Sequence, residues 1–332
     1  MRILTLCLLL CFFGAGCKIK PELAKKKYFR MDTITEVTLV VKDKKQIQQC
    51  WNSIDSLLKN WEDRFSVEGS LSEVRNLNER KKNIMPVSSQ LRDMLRTAIN
   101  YGDTLDGGFD LTILPIKQLW GLGENSTEKQ PLPSAQQVQS ALEKVDYTKV
   151  KIVNDSVYFS SEETQIDVGG IAKGYVLREI RNLLDRYGVE NYLVSAGGDI
   201  IANGKRIDGK PWKVGIQHPR NQGILGSVEL DSGSIVTSGD YERCRIIEGK
   251  RYHHLFDTRT GYCGQQNQSL TIYGPDPVEA DIMSTGLFSR PAEQIIEFVN
   301  TRPRFECLVV DSCGKVFKSN GWYTRVTIFE EN

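Results

Sequence analysis

Asp167-Val168-Gly169-Gly170-Ile171-Ala172-Lys173-Gly174-Tyr175 reads as the junction between an extended run and a helix. A short β-rich run over 165–168 is expected to end at the paired glycines, and a helix over about 171–187 to carry Lys173 in its first turns. Glycine lets a backbone approach closely, the start of a helix offers free amides, and a lysine adds charge; together these suit a phosphate. The pattern is neither G-x-x-x-x-G-K-S/T nor G-x-G-x-x-G, so ordinary NTPase and Rossmann readings lack support. A close packing contact that needs glycine is the other reading of the same residues.

Working outward, polar and apolar residues alternate over Thr33–Val41, which predicts a strand. Ile47, Cys50, Trp51, Ile54, Leu57, Leu58 and Trp61 follow helical spacing and are read as core. A helix over 88–98 is expected to start at Ser88 or Ser89, with further helices near 278–288 and 292–299. Short strands are expected near 149–153, 156–160, 192–195, 212–217, 227–230, 234–237, 270–273, 307–310 and 323–329, and a polar loop at 124–134. Helices and strands interleave without strict alternation, so the class is α+β or mixed α/β, with mixed sheets and flanking helices. No linker is strong enough to divide the chain, and residues 29–332 read as one domain.

The chain has 332 residues, with 43 Lys and Arg against 42 Asp and Glu. That balance excludes general electrostatic attraction to nucleic acid as the main activity, and no nucleic-acid partner is expected. Arg2 precedes an apolar run over 3–13 that is too short to span a bilayer and breaks at Gly14-Ala15-Gly16-Cys17. This reads as a signal peptide over 1–16. Cys17 after small residues resembles the lipobox of bacterial lipoproteins, although Gly14 stands where an aliphatic residue is usual. A lipidated tether is expected over 17–28, with Lys25-Lys26-Lys27 solvated or favouring an anionic membrane surface. The expected location is therefore an exported protein, lipid-anchored to a bacterial membrane, and the family resemblance given below implies that it faces the periplasm. Cys50, Cys244, Cys263, Cys307 and Cys313 remain beyond Cys17, an odd number without C-x-x-C spacing.

Other residues carry chemistry as well. His253-His254 holds two of the three histidines; neighbours on a strand face opposite sides, so at most one points into a given site. Acid–base chemistry and a hydrogen-bonded structural role both remain open for it. Asp281 and Thr285 lie four apart on an expected helix and share a face. Their hard oxygens suit Mg²⁺, which takes few protein ligands plus water and phosphate, while an Asp at a helix start also serves as a cap.

Taken in order, Met31-Asp32-Thr33, Ser72-Glu73-Val74 with Asn78, Gly108-Phe109-Asp110, Leu119-Trp120-Gly121, 167–175, 196–200, 237–241, 253–261 and 280–285 closely resemble the ApbE family, the FAD:protein FMN transferases. The resemblance runs over about 29–329. It implies a single ApbE-like domain that binds FAD and Mg²⁺. Such an enzyme cleaves the FAD pyrophosphate, attaches FMN by phosphoester to a Thr of an acceptor flavoprotein subunit, and releases AMP. Typical acceptors belong to sodium-pumping or Rnf-type electron-transport complexes. By the same resemblance, Met31, Glu68, Gly108, Phe109, Asp110, Asp167, Lys173 and His254 would contact FAD. The Gly170 carbonyl, Asp281 and Thr285 would hold the metal, Lys173 would aid charge stabilisation, and His254 or Asp257 would take the acceptor's proton. Two departures stand out: Ser66-Val67-Glu68-Gly69 lacks the aromatic residue common there, and Thr258 replaces a usual Pro. Rival readings are a Mg²⁺-dependent FAD pyrophosphatase using water, a non-catalytic flavin-binding lipoprotein, and a solute-binding or adhesive surface lipoprotein.

Overall fold

A computed structural model describes residues 20–42, 44–67, 69, 71–122, 131–324 and 326–328. The expected signal peptide, Cys17, Glu68 and most of the 124–134 loop lie outside the described residues. Strands β1 (Glu22–Arg30) and β2 (Thr33–Val41) form an antiparallel hairpin across Met31 and Asp32. Then come α1 (Lys44–Phe65), α2 (Glu73–Asn78), β3 (Ile84–Pro86), α3 (Ser89–Thr104), α4 (Leu114–Trp120) and α5 (Ala135–Leu142). The middle of the chain forms β4 (Val150–Val153), β5 (Ser156–Phe159), α6 (Ala172–Arg186), β6 (Tyr192–Ala196), β7 (Asp199–Asn203), β8 (Trp212–Gln217), β9 (Ile224–Leu230) and β10 (Ser232–Gly239). It closes with β11 (Cys244–Ile247), β12 (Lys250–His253), β13 (Asn267–Gly274), α7 (Pro277–Gly286), α8 (Ala292–Asn300), β14 (Glu306–Asp311), β15 (Val316–Lys318) and β16 (Val326–Ile328).

The main sheet has eight strands in the order β1-β2-β6-β7-β10-β13-β14-β15. Every neighbouring pair is antiparallel, so the sheets are not mixed in direction and the class is α+β. One face packs on α1, α3, α6, α7 and α8 in the larger core, and the other is covered by β8 and β9. Strand β14 shows how one sheet serves both: Val309 belongs to the first core, Leu308 and Val310 to the second. Because both cores share this sheet, the described chain is one domain. No helix among the described residues is long and apolar enough to cross a membrane, and none of Cys50, Cys244, Cys263, Cys307 and Cys313 is in a disulfide.

Three local expectations are corrected. Residues 22–28, expected as tether, are edge strand: Tyr28 is buried with its hydroxyl donating to the Trp51 carbonyl at 3.0 Å, while Lys27 pairs with Glu36 at 2.8 Å. Long lysines on an edge strand keep their ammonium groups in water and discourage pairing with other chains. Residues 165–168 are not a strand, because their backbone bonds go elsewhere. The Asn78 side chain both donates to the Ile166 carbonyl (2.8 Å) and accepts from its amide (2.7 Å), and Asp167 N donates to Leu111 O at 2.7 Å. Of the closing strand expected at 323–329, residues 323–324 belong instead to a 3₁₀ turn and 326–328 form β16, while 325 and 329 lie outside the described residues.

Candidate active site

Helix α6 starts one residue beyond the two glycines, with Ile171 as its N-cap, and lies against α7 so closely that a β-carbon on Gly174 would stand 2.6 Å from Pro277 O and 2.7 Å from Val278 Cα. The Gly174 amide, left without a partner by its place in the first turn, donates to Asp281 Oδ2 at 2.8 Å. Glycine here therefore serves packing, one of the two readings of the motif. At Gly170 a β-carbon would meet Phe109 Cε2 at 3.0 Å and the Thr285 side chain at 3.2 Å, which places Gly170 and Thr285 side by side.

These residues line a cavity of about 990 Å³, at the upper end of the roughly 300–1,000 Å³ usual for small-molecule sites. Met31, Gly108, Phe109, Asp110, Asp167, Gly170, Lys173, His254, Asp281 and Thr285 all face it. Motifs spread over most of the chain thus meet at one place. Asp257 stands apart, in a smaller recess of about 180 Å³ beside Arg259 and Arg290. There Arg259 Nε and Nη2 donate to its two oxygens at 3.0 Å each.

The hairpin tip forms one lip. Met31 and Asp32 have φ of 55° and 54°, the left-handed conformation demanded at both central positions of a type I′ turn. Glu62 Oε1 accepts from Met31 N at 2.7 Å and fixes this turn. Asp110 braces another wall: Oδ1 accepts from Thr112 N and Oγ1 at 2.7 and 2.6 Å, and Oδ2 from Tyr147 N at 3.0 Å. Burial still raises its carboxyl above the ordinary range. Thr258 donates its hydroxyl to Gly107 O at 2.5 Å and ties two walls together.

Charge gathers on the cavity floor. Lys173 is ion-paired with the buried Asp199. Burial works against its ammonium, but Asp199 and then Asp281 outweigh this and raise the Lys173 pKa. Lys117 Nζ donates to Asp167 Oδ2 at 2.6 Å, and Gly169 N donates to Oδ1 at 2.6 Å. Burial alone would raise the Asp167 carboxyl, yet Lys117 and the Gly169 amide hold it below the usual range. Burial above all raises Asp281, to about 7, against the pull of Lys173.

The two histidines part company. His253 is buried and structural: Nε2 lies 2.8 Å from Gly264 O and Leu255 N donates to Nδ1 at 3.3 Å, which fixes the neutral tautomer. His254 faces the cavity, and its buried Nδ1 has no hydrogen-bond partner among the described residues. Burial first, then Arg243 and Lys117, push its pKa well below the ordinary value, so its imidazole is neutral at physiological pH.

Among the described residues, no group of three or more His, Cys, Asp and Glu gathers around one point. The Asp281 carboxylate, the Thr285 hydroxyl and the Gly170 carbonyl are nevertheless all hard oxygens. They fit a magnesium ion that completes its shell with water and substrate phosphate. Lys117 and Glu62 were absent from the residues singled out in the sequence, and Asp199 entered only within the 196–200 motif, with no role of its own. Lys117 had a usable signal, a lone lysine within the otherwise apolar turn Leu114-Pro115-Ile116-Lys117.

An antiparallel sheet with helices on one face and a cation-bearing, glycine-floored cavity between hairpin, loops and helix starts defines a ligand-binding α+β protein with phosphate-type chemistry. Within that class, the chain belongs to the ApbE family, whose profile matches residues 31–309. It is similar to the FAD:protein FMN transferase of Haemophilus influenzae, 30% identical over 288 residues that cover 84% of this chain and 83% of that protein. The FAD:protein FMN transferase of Escherichia coli (strain K12) is 28% identical over 325 residues, 92% of each. Among solved structures it is similar to the ApbE protein of Thermotoga maritima, with a TM-score of 0.83, 28% identity, and coverage of 91% of this chain and 99% of that one.

Proposed function

We propose that the protein is a magnesium-dependent FAD:protein FMN transferase. The carrying observation is that Gly170, Lys173, His254, Asp281 and Thr285, from separate parts of an ApbE-family chain, line one cavity of about 990 Å³. The acceptor hydroxyl oxygen attacks the FMN phosphorus, the bond from that phosphorus to the bridging oxygen breaks, and AMP leaves with that oxygen. Transfer of this kind depends on positioning and on stabilising spread negative charge. Magnesium held by Asp281, Thr285 and the Gly170 carbonyl would neutralise charge building on the pyrophosphate. Lys173 stabilises the same oxygens electrostatically. The neutral His254 takes the proton of the acceptor hydroxyl; Asp257, closed by Arg259 outside the cavity, is the poorer base.

The acceptor is a Thr of a flavoprotein subunit, of the sodium-pumping or Rnf-type electron-transport kind. The N-terminal segment supports export and a lipid on Cys17, which would hold the enzyme at a bacterial membrane facing the periplasm.

The test incubates protein lacking Cys17 with FAD, Mg²⁺ and a candidate acceptor domain, read by intact mass and in-gel flavin fluorescence. The expected result is one FMN added to the acceptor, lost with EDTA or Asp281→Ala. Free FMN and AMP without labelling, across several acceptors, would mean a pyrophosphatase, and intact bound FAD would mean a binding protein.

A further inference from the structure

Two lysines present themselves to the cavity in the same way. Lys173 on α6 pairs with Asp199, and Lys117 on α4 pairs with Asp167. In each pair the carboxylate side chain is the more buried partner, 1% and 6% exposed, and the lysine side chain the more open one, at 36% and 31%. Both lysines line the same cavity. Lys117 reaches the glycine pair itself, for a β-carbon on Gly169 would lie 3.2 Å from its Nζ. Asp167 locks this corner, since its other oxygen holds the Gly169 amide.

We propose that Lys117 is a diphosphate-binding residue, the second arm of a clamp whose first arm is Lys173. The proposal rests on the dinucleotide reading above, and adds to it the group that takes the other phosphate. Two linked phosphates spread negative charge over more oxygens than one ammonium reaches, so two anchored ammonium groups on one floor match them. The carboxylate behind each lysine keeps the ammonium aimed and removes the cost of an isolated charge in an empty site. A lysine serving only to neutralise Asp167 would not need to remain open to the cavity.

Calorimetric titrations of FAD, ADP and riboflavin, without divalent cations so that nothing turns over, separate these roles. The variants are Lys117→Met, Lys117→Arg and the double variant Lys117→Met/Asp167→Asn. Charge-assisted hydrogen bonds are worth enough that Lys117→Met should weaken FAD and ADP about 10- to 100-fold. Riboflavin should change less than about 2-fold, and Lys117→Arg should retain most of the affinity. The double variant should show the same loss while melting close to the wild type, because no buried charge is left alone. Unchanged ADP affinity in the double variant, or an equal loss for riboflavin, overturns the clamp. ADP weakened in this pattern while the wild type binds FAD no better than ADP upholds the clamp and sinks the flavin reading. FAD bound tightly and equally by all variants does the reverse.

Discussion

His253 and His254 show how far one peptide bond can separate two identical side chains. His253 is enclosed and hydrogen-bonded at both ring nitrogens, and burial lowers its pKa from 6.5. The unfolded chain therefore binds a proton near pH 6.5 that the folded chain refuses until lower pH. Stability from this group is complete above 6.5 and is lost as pH falls through its folded pKa. His254, whose pKa is also lowered, acts in the same direction. Thermal melts should drop between pH 7 and 5.5, and His253→Gln should flatten the drop; equal slopes in both proteins would refute the assignment. For His254, replacement by alanine should leave FAD binding within a few-fold and slow transfer by about 10²- to 10⁴-fold. Single-turnover rates with a pre-bound acceptor measure this, and an unchanged rate removes His254 from the chemistry.

At the level of elements, the site depends on α6 and α7 staying in backbone contact. Gly174→Ala forces its new methyl against Pro277 O and Val278 Cα, atoms that cannot rotate away. A cost of about 1–3 kcal/mol is expected from such overpacking, with weakened metal binding as the Gly174–Asp281 bond is displaced; urea unfolding reads the first, and a variant as stable as the wild type would mean the helices yield. Thr258→Val should cost about 0.5–1.5 kcal/mol through the lost bond to Gly107 O, again by urea unfolding.

Elements with strong local signals were legible in the sequence: Thr33–Val41 by its alternation, α3 by its cap at Ser88, whose hydroxyl accepts from Leu91 N. Residues 165–168 misled because their polar–apolar alternation suits a strand, while Ile166 bonds to the side chain of Asn78, far away in sequence, and Asp167 N to Leu111 O. β1 was obscured by three lysines whose charges reach water from an otherwise ordinary edge strand. The site was legible as a set of motifs, because glycines, acids and histidines at fixed places narrow the chemistry. Lys117 left only a faint trace, a lone lysine in an otherwise apolar turn, and only the fold shows that it meets Asp167.

For the whole molecule, the eight-stranded sheet is a wall with a core on either side, and the cavity sits where the hairpin tip, the loops and the starts of α6 and α7 converge. The proposed membrane attachment belongs to this scale. Cys17→Ser should move the protein from the membrane to the soluble fraction on cell fractionation and abolish labelling by a fatty-acid probe; membrane retention without label would point to another anchor.

That β1 begins at Glu22 sets a leash. With the proposed lipid on Cys17, only residues 18–21 separate the bilayer from folded sheet, and the chain from Cys17 to the cavity lip at Met31 can span no more than about 50 Å. The enzyme then works within a shallow layer above the membrane. On the proposed function, an acceptor would have to carry its reactive hydroxyl inside that layer, and one held on a taller stalk would go unmodified however well its sequence matched.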